Sequence, residues 1–145
     1  MEQIPILMAD DDADDRMLTQ DALYESRLKN PLYFVKDGQE LLDFLYNRGA
    51  FQDREQFPRP GLILLDLNMP NISGREALQK IKQDPDLRRI PIVVLTTSQA
   101  EADIWGTYDL GANSFITKPV EFDKLVRVLQ VIGEYWFTIV RLPET

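Results

Sequence analysis

Three aspartates in a row, Asp10-Asp11-Asp12, follow the apolar run that ends at Met8-Ala9, and a fourth, Asp66, ends the run Leu62 to Leu65. Thr96 closes a third run and Lys118 a fourth, Phe115-Ile116-Thr117. Such runs are central strands of a parallel sheet, where both faces are covered. If the four strands lie side by side, Asp10, Asp11, Asp66, Thr96 and Lys118 meet along one edge. Two like charges about 4 Å apart cost roughly 4 kcal/mol at an effective dielectric of 20. Three carboxylates at one edge therefore call for a cation or a proton. The donors are all oxygens, which matches Mg²⁺ or Mn²⁺. The backbone carbonyl of Asn68, two residues past Asp66, is expected to complete the shell.

One carboxylate of such a set can act as a nucleophile. Asp66 is the best placed, because it ends the most hydrophobic strand and precedes a loop that closes on Pro70. Attack on a phosphoryl donor gives an aspartyl phosphate. Phosphoryl transfer needs in-line positioning and charge neutralisation more than acid–base work. The metal and Lys118 would neutralise charge, and the Thr96 hydroxyl would donate to a phosphoryl oxygen. No side chain in the set looks like a strong general base, which suits a phosphoryl acceptor better than an enzyme turning over a metabolite. Asp12 either joins the metal or caps the following helix, and its place just before Ala13 favours capping.

The elements that must position these residues alternate regularly. Strands are expected at Ile4–Ala9, Leu32–Lys36, Leu62–Leu65, Ile92–Leu95 and Ser114–Thr117. Helices are expected at about Ala13–Lys29, from Asp37-Gly38 to Gly49, from Ser73-Gly74 to near Asp84-Pro85, at about Gln99–Leu110 before Gly111, and at Glu121–Tyr135. Ala50 to Pro60 reads as a polar and aromatic loop, longer than most connections of this kind. Five strand–helix units imply an α/β domain: an open five-stranded parallel sheet, doubly wound, with helices on both faces. Ligands of such sheets bind at the carboxyl ends of the strands near a topological switch point, where the motifs fall.

Composition narrows the function classes. The chain has 145 residues, 44% hydrophobic and 28% charged, ordinary for one globular domain. It contains no cysteine and no histidine. That removes disulfides, thiolate chemistry, histidine bases and histidine-ligated zinc. Any phosphohistidine in its chemistry must belong to a partner. The net charge is −8 with no basic block, which disfavours nucleic-acid binding. No apolar run approaches a membrane span and the first residues lack a signal peptide, so the cytoplasm is expected.

At the four motifs the sequence resembles the receiver domain of two-component response regulators, from about Ile4 to Tyr135. The matching set is an acidic pair after the first strand, the D-x-N-M-P run at Asp66 to Pro70, a threonine ending the fourth strand and Lys118-Pro119 after the fifth. The resemblance implies the flavodoxin-like (βα)5 receiver fold, with Asp66 as phospho-acceptor and Asp10 and Asp11 as metal ligands. It makes Thr96 the switch hydroxyl, Lys118 the phosphate-contacting lysine and Phe115 the switch aromatic. Asn68 and Ser98, flanking the pocket, would tune the dephosphorylation rate. Phosphorylation adds about −1.5 to −2 charge at the sheet edge. Thr96 would then move toward it and Phe115 inward.

The whole chain, 1–145, is expected to be one receiver domain with a core of about 4–135 and no output domain. It would take its phosphoryl group from a sensor histidine kinase and act on an unidentified downstream protein. The segments Arg75 to Leu78, Asp84 to Pro91 and Leu95 to Ser98, with the long loop and tail, are similar to the response regulators of cyanobacterial and bacterial phytochromes, which points to a phytochrome-type kinase. The tail, with Tyr135, Trp136, Phe137, Ile139, Val140 and Leu142, is too apolar for a free end. It folds back on the domain or forms a dimer contact, and a homodimer is favoured. That contact would use the tail or the face of the helix over Gln99–Leu110, the strand at Ser114–Thr117 and the helix after Glu121. The alternatives are a haloacid-dehalogenase-type phosphatase, which would need an acid where Asn68 stands, and a receiver fold kept only as a binding module.

Overall fold

The computed structural model describes residues 4–26, 30–69, 71–96, 114–117 and 121–132, and of residues 96, 114–117, 128 and 132 the backbone alone. The strands are β1 (Ile6–Ala9), β2 (Leu32–Val35), β3 (Leu62–Asp66), β4 (Ile92–Thr96) and β5 (Ser114–Thr117). They form one parallel sheet in the order β2-β1-β3-β4-β5. The described helices are α1 (Ala13–Glu25), α2 (Gly38–Tyr46), α3 (Gly74–Gln83) and α4 (Phe122–Ile132). The chain leaves β1 for one side of the sheet and returns to the other side for β3, so the topological switch lies between them.

Strand alternation divides the core in two. Leu7, Ala9, Ile63, Leu65, Ile92 and Val94 pack with α2 and α3 residues such as Leu41, Leu42, Ala77, Leu78 and Ile81. Ile6, Met8, Leu62, Leu64, Val93 and Leu95 pack on the other face with Ala22 and Leu23 of α1 and Leu125 and Leu129 of α4. Ala9 is in register with Leu65. One residue further along both strands stand Asp10 and Asp66, with the parity of Met8 and Leu64. Register and pleat therefore aim both side chains at the same face of the sheet edge.

The strand expectations hold to within one or two residues. Two connections differ. The helix expected to end at Gly49 ends at Tyr46, because Asn47 takes the left-handed conformation (φ 54°, ψ 52°). Asparagine tolerates that region, and here its Nδ2 also donates to the carbonyls of Phe51 (3.0 Å) and Phe57 (3.1 Å). Gly49, at φ 59°, instead opens a 3₁₀ turn, Gly49–Phe51. The long loop is thereby built onto the core. Phe51 and Phe57 lie 5.3 and 5.6 Å, centroid to centroid, from the buried Phe44. They lie 5.0 Å from each other, and Tyr33 packs on Phe44 at 5.6 Å.

Helix α1, expected to about Lys29, ends at Glu25 with Ser26 as its C-cap, and residues 27–29 lie outside the described set; α4 is described to Ile132. The helix expected over Gln99–Leu110 and the tail at 136–143 lie outside the described residues. Among the described residues no helix is long and apolar enough to cross a membrane.

Candidate functional site

The site grows from the ends of β1 and β3. Asp10 is fully buried and Asp66 is 4% exposed, whereas Asp11 is exposed. One carboxylate oxygen from each of Asp10, Asp11 and Asp66 lies within 4.8 Å of the others. Buried carboxylates are costly unless hydrogen-bonded or paired with a cation. Both receive backbone donors: the Asp12 amide donates to Asp10 Oδ1 at 2.9 Å, and the Asn68 amide to Asp66 Oδ1 at 3.0 Å. The Asp10 backbone is held on both sides as well. Its amide donates to the Val35 carbonyl at 3.0 Å, and its carbonyl accepts from Arg16 Nη1 at 2.8 Å. These bonds orient the two acids at the strand ends.

Asp12 is the helix cap. Its side chain accepts from the amides of Asp14 (2.8 Å) and Asp15 (3.3 Å) and is exposed. The acidic first turn, Asp14 and Asp15, complements the positive end of α1.

Of the other expected site residues, Thr96 ends β4 in register with Thr117, at the strand edge that carries Asp66. Phe115 lies in β5 in register with Val94. Their side chains, and Lys118 and Ser98 entirely, lie outside the described residues. Asn68 is exposed beside the site, its amide on Asp66. The described structure thus brings together Asp10, Asp11, Asp66 and the Asn68 segment.

The segment after Asp66 is held by Asn71 and by the residues that open two helices, Asp37-Gly38 and Ser73-Gly74. At its neck the Leu67 amide donates to the Leu95 carbonyl at 3.1 Å, and the Gly74 amide to the Leu67 carbonyl at 3.2 Å. Ser73 caps α3 by accepting from the Glu76 amide at 3.2 Å. Further out, Asn71 adopts φ 62° and donates from Nδ2 to Asp37 Oδ2 at 2.8 Å. Asp37 is itself the cap of α2, its Oδ1 accepting from the Glu40 amide at 2.7 Å. The Gly38 amide donates to the Ile72 carbonyl at 3.0 Å. A Cβ on Gly38 would stand 2.8 Å from the Ile72 Cβ, so only glycine fits that seam. The visible signals are Asp37-Gly38 and Ser73-Gly74, both pairs of turn- and cap-forming residues, with Asn71 two residues before the second.

Comparison with known proteins agrees with this geometry. The family model of the response regulator receiver domain matches residues 6–130. Response regulator Rcp1 of Synechocystis sp. is 43% identical over 138 residues, which cover 95% of this chain and 92% of that protein. Among solved structures, the phosphorylated cyanobacterial phytochrome response regulator RcpA superposes with a TM-score of 0.87 at 40% identity, covering 99% of this chain and all of the other. The Mn²⁺-bound form of Rcp1 gives a TM-score of 0.84 at 42% identity, covering 97% and 99% of the two chains. The resemblance expected from the four motifs holds over nearly the full length and decides against the phosphatase alternative: the chain belongs to the response regulator receiver domain family, the phospho-accepting regulators of two-component signalling.

Proposed function

We propose that Asp66 is the phospho-acceptor of this chain and that Asp10, Asp11 and Asp66, with the Asn68 carbonyl, hold Mg²⁺ or Mn²⁺. The observation that carries this reading is the convergence of the three carboxylates to within 4.8 Å at the strand ends. The donor set is all oxygen and anionic, which suits a hard divalent ion. The Mn²⁺-bound structure of the 42% identical Rcp1 supports the same choice. When bound, the ion neutralises charge on the phosphoryl group.

Membership of the receiver family supports a sensor histidine kinase as donor, and because this chain has no histidine the phosphohistidine lies on that partner. A carboxylate oxygen of Asp66 forms a bond to phosphorus as the P–N bond breaks, and the imidazole leaves. The Asn68 amide fixes the Asp66 carboxylate for this approach. Lys118 and the Thr96 hydroxyl take the phosphoryl oxygens, and the Thr96 and Phe115 side chains carry the change outward. Later attack of water on phosphorus returns the free carboxylate, at a rate tuned by Asn68 and Ser98. The chain is a self-modifying acceptor rather than a metabolic enzyme.

The similarity to phytochrome response regulators supports a phytochrome-type kinase as donor. The apolar tail supports a homodimer as the signalling form. Incubation with phosphoramidate and Mg²⁺ tests the central assignment. One phosphoryl group is expected by intact mass, and none on Asp66→Asn. An unmodified wild type, or an adduct that survives on Asp66→Asn, would reject Asp66 as the acceptor. Phosphotransfer profiling against histidine kinases tests the donor. Sedimentation of the chain with and without residues 136–145 tests the dimer.

A further inference from the structure

We propose that Asn71 is a positioning residue: clasped by Asp37, it holds the segment after Asp66 in the path that presents the Asn68 backbone to a divalent cation. The inference rests on the metal-assisted reading above. The segment leaves β3 at Asp66 and is pinched shut at its neck, where the Gly74 amide meets the Leu67 carbonyl at 3.2 Å. Asn68 and Met69 leave this neck and Asn71 to Ser73 return to it, so a second anchor is what gives the described residues one path. Asn71 supplies it. Its φ of 62° turns the chain back toward α3, and its Nδ2 is fixed on Asp37 Oδ2 at 2.8 Å.

The Asn71–Asp37 bond is solvent-exposed, but Asp37 is held at its other oxygen. That oxygen, Oδ1, caps α2 through the Glu40 amide, and α2 is rooted in the core by Leu41, Leu42 and Phe44. A second bond, from the Gly38 amide to the Ile72 carbonyl, runs beside the first. Asn71 lies three residues from Asn68, whose amide orients Asp66. A shift at Asn71 is thus transmitted to the Asn68 backbone, whose carbonyl is the proposed ligand, while Asp66 stays fixed by the end of β3. Groups that orient a ligand of a metal from outside its shell act on affinity in this way.

Two substitutions remove the clasp while sparing every site carboxylate. Asp37→Ser keeps a cap for α2 but cannot reach Asn71. Asn71→Gly keeps a residue at ease at positive φ but has no side chain. The free Mn²⁺ signal in electron paramagnetic resonance gives the dissociation constant. Phosphorylation by phosphoramidate across Mn²⁺ concentrations separates affinity from rate, and hydrogen exchange of the α2 amides reports helix integrity. Each variant is expected to bind Mn²⁺ about tenfold more weakly, with α2 protection unchanged and the rate restored at saturating Mn²⁺. The double variant should lose no more than the worse single one, because both break the same bond. Mn²⁺ affinity within about twofold of wild type in both single variants, or losses that add in the double variant, would overturn the proposal. A wild type that takes up no Mn²⁺ would overturn the metal reading and this inference with it, whereas normal wild-type binding with unaltered variants overturns the inference alone.

Discussion

Gly74 lies directly against the backbone that carries the Asp66 carboxylate. A Cβ on Gly74 would run into the Asp66 carbonyl oxygen, and it would stand 2.6 Å from the Leu67 Cα and 3.0 Å from the Asp66 carbonyl carbon. The requirement is for space, since Gly74 is not among the residues at positive φ. The start of α3 and the end of β3 are thereby in backbone contact, and the neck of the loop cannot admit a side chain.

Gly74→Ala must push α3 away from β3 or move Asp66. The obstacle is backbone rather than the end of a flexible side chain, so the structure yields only by shifting whole elements. Overpacking of this kind costs about 1–3 kcal/mol. Urea unfolding should report that loss, and phosphorylation by phosphoramidate should slow in the same variant if Asp66 is the acceptor proposed above. Stability and rate both equal to wild type would mean that the neck is looser than its geometry states.

Asp11 and Asp12 are neighbours with different work, and their substitutions should separate them. Asp11 places an oxygen within the acidic trio, whereas Asp12 spends its side chain on the amides of Asp14 and Asp15. Asp11→Ala should weaken Mn²⁺ binding at least about tenfold, since a unit charge at 4 Å is worth about 4 kcal/mol at a dielectric of 20. Asp12→Asn keeps the cap and should change Mn²⁺ affinity less than about fivefold, because an exposed charge outside the shell is screened. Asp12→Ala should cost about 1 kcal/mol of stability through the lost cap. Titration of Mn²⁺ into the three variants decides it, and equal losses for Asp11 and Asp12 substitutions would reject the division.

What the sequence made legible follows the range of the interactions. Hydrophobic runs that stop at a polar residue report strand ends, because a parallel strand is buried on both faces. That is why Asp10 and Asp66 could be placed together before any coordinates. The two-residue pleat and the Ala9–Leu65 register then do the rest. The end of α2 was misplaced because Gly49 is the more conspicuous helix stop, while Asn47 gains two carbonyl partners from the loop that local pattern does not reveal. The Asp37–Asn71 bond spans 34 residues, and no periodicity encodes such a pairing. Phe51 and Phe57 are nearer to Phe44 in sequence, but they pack on it through a loop whose path no helix or strand period specifies.

That aromatic cluster makes its own prediction. Phe44 is 2% exposed and touches Tyr33, Phe51 and Phe57, whereas Phe57 is only half-buried. Phe44→Ala should cost about 3–5 kcal/mol. Phe57→Ala loses two ring pairs, worth about 1–3 kcal/mol together. Phe57→Ala should also raise proteolysis between residues 50 and 60, with Mn²⁺ affinity unchanged, because no ring of the cluster belongs to the acidic site. A Phe57→Ala chain as stable as wild type and no more readily cut would show that the loop is held by its hydrogen bonds to Asn47 and Asp86 and not by the Phe57 ring.

The link between Tyr46 and Asp84 should appear in the pH dependence of stability. Tyr46 Oη donates to Asp84 Oδ2 at 2.6 Å, joining the last residue of α2 to the residue that follows α3. This bond is the first cause of a lowered Asp84 pKa, followed by the amides of Leu87 and Asp86. It is also the first cause of a raised Tyr46 pKa, followed by burial and the Asp84 charge, with Arg48 opposing. The signs differ at the two ends of the scale. Asp84 contributes stability that is full above the ordinary value of 3.8 and is lost as pH falls through its lower folded value. Tyr46 contributes stability that is full below the ordinary value of 10.0 and is lost as pH rises through its higher folded value. Tyr46 is 41% exposed, so solvent screening holds the contribution of the pair below about 1 kcal/mol. Tyr46→Phe should therefore lower stability slightly across the neutral range and move the Asp84 carboxyl titration, followed by NMR, upward. It should not return to the ordinary value, because the Leu87 and Asp86 amides still favour the charged form. An Asp84 midpoint identical in the two proteins would show that those amides, and not the phenol, hold the carboxylate.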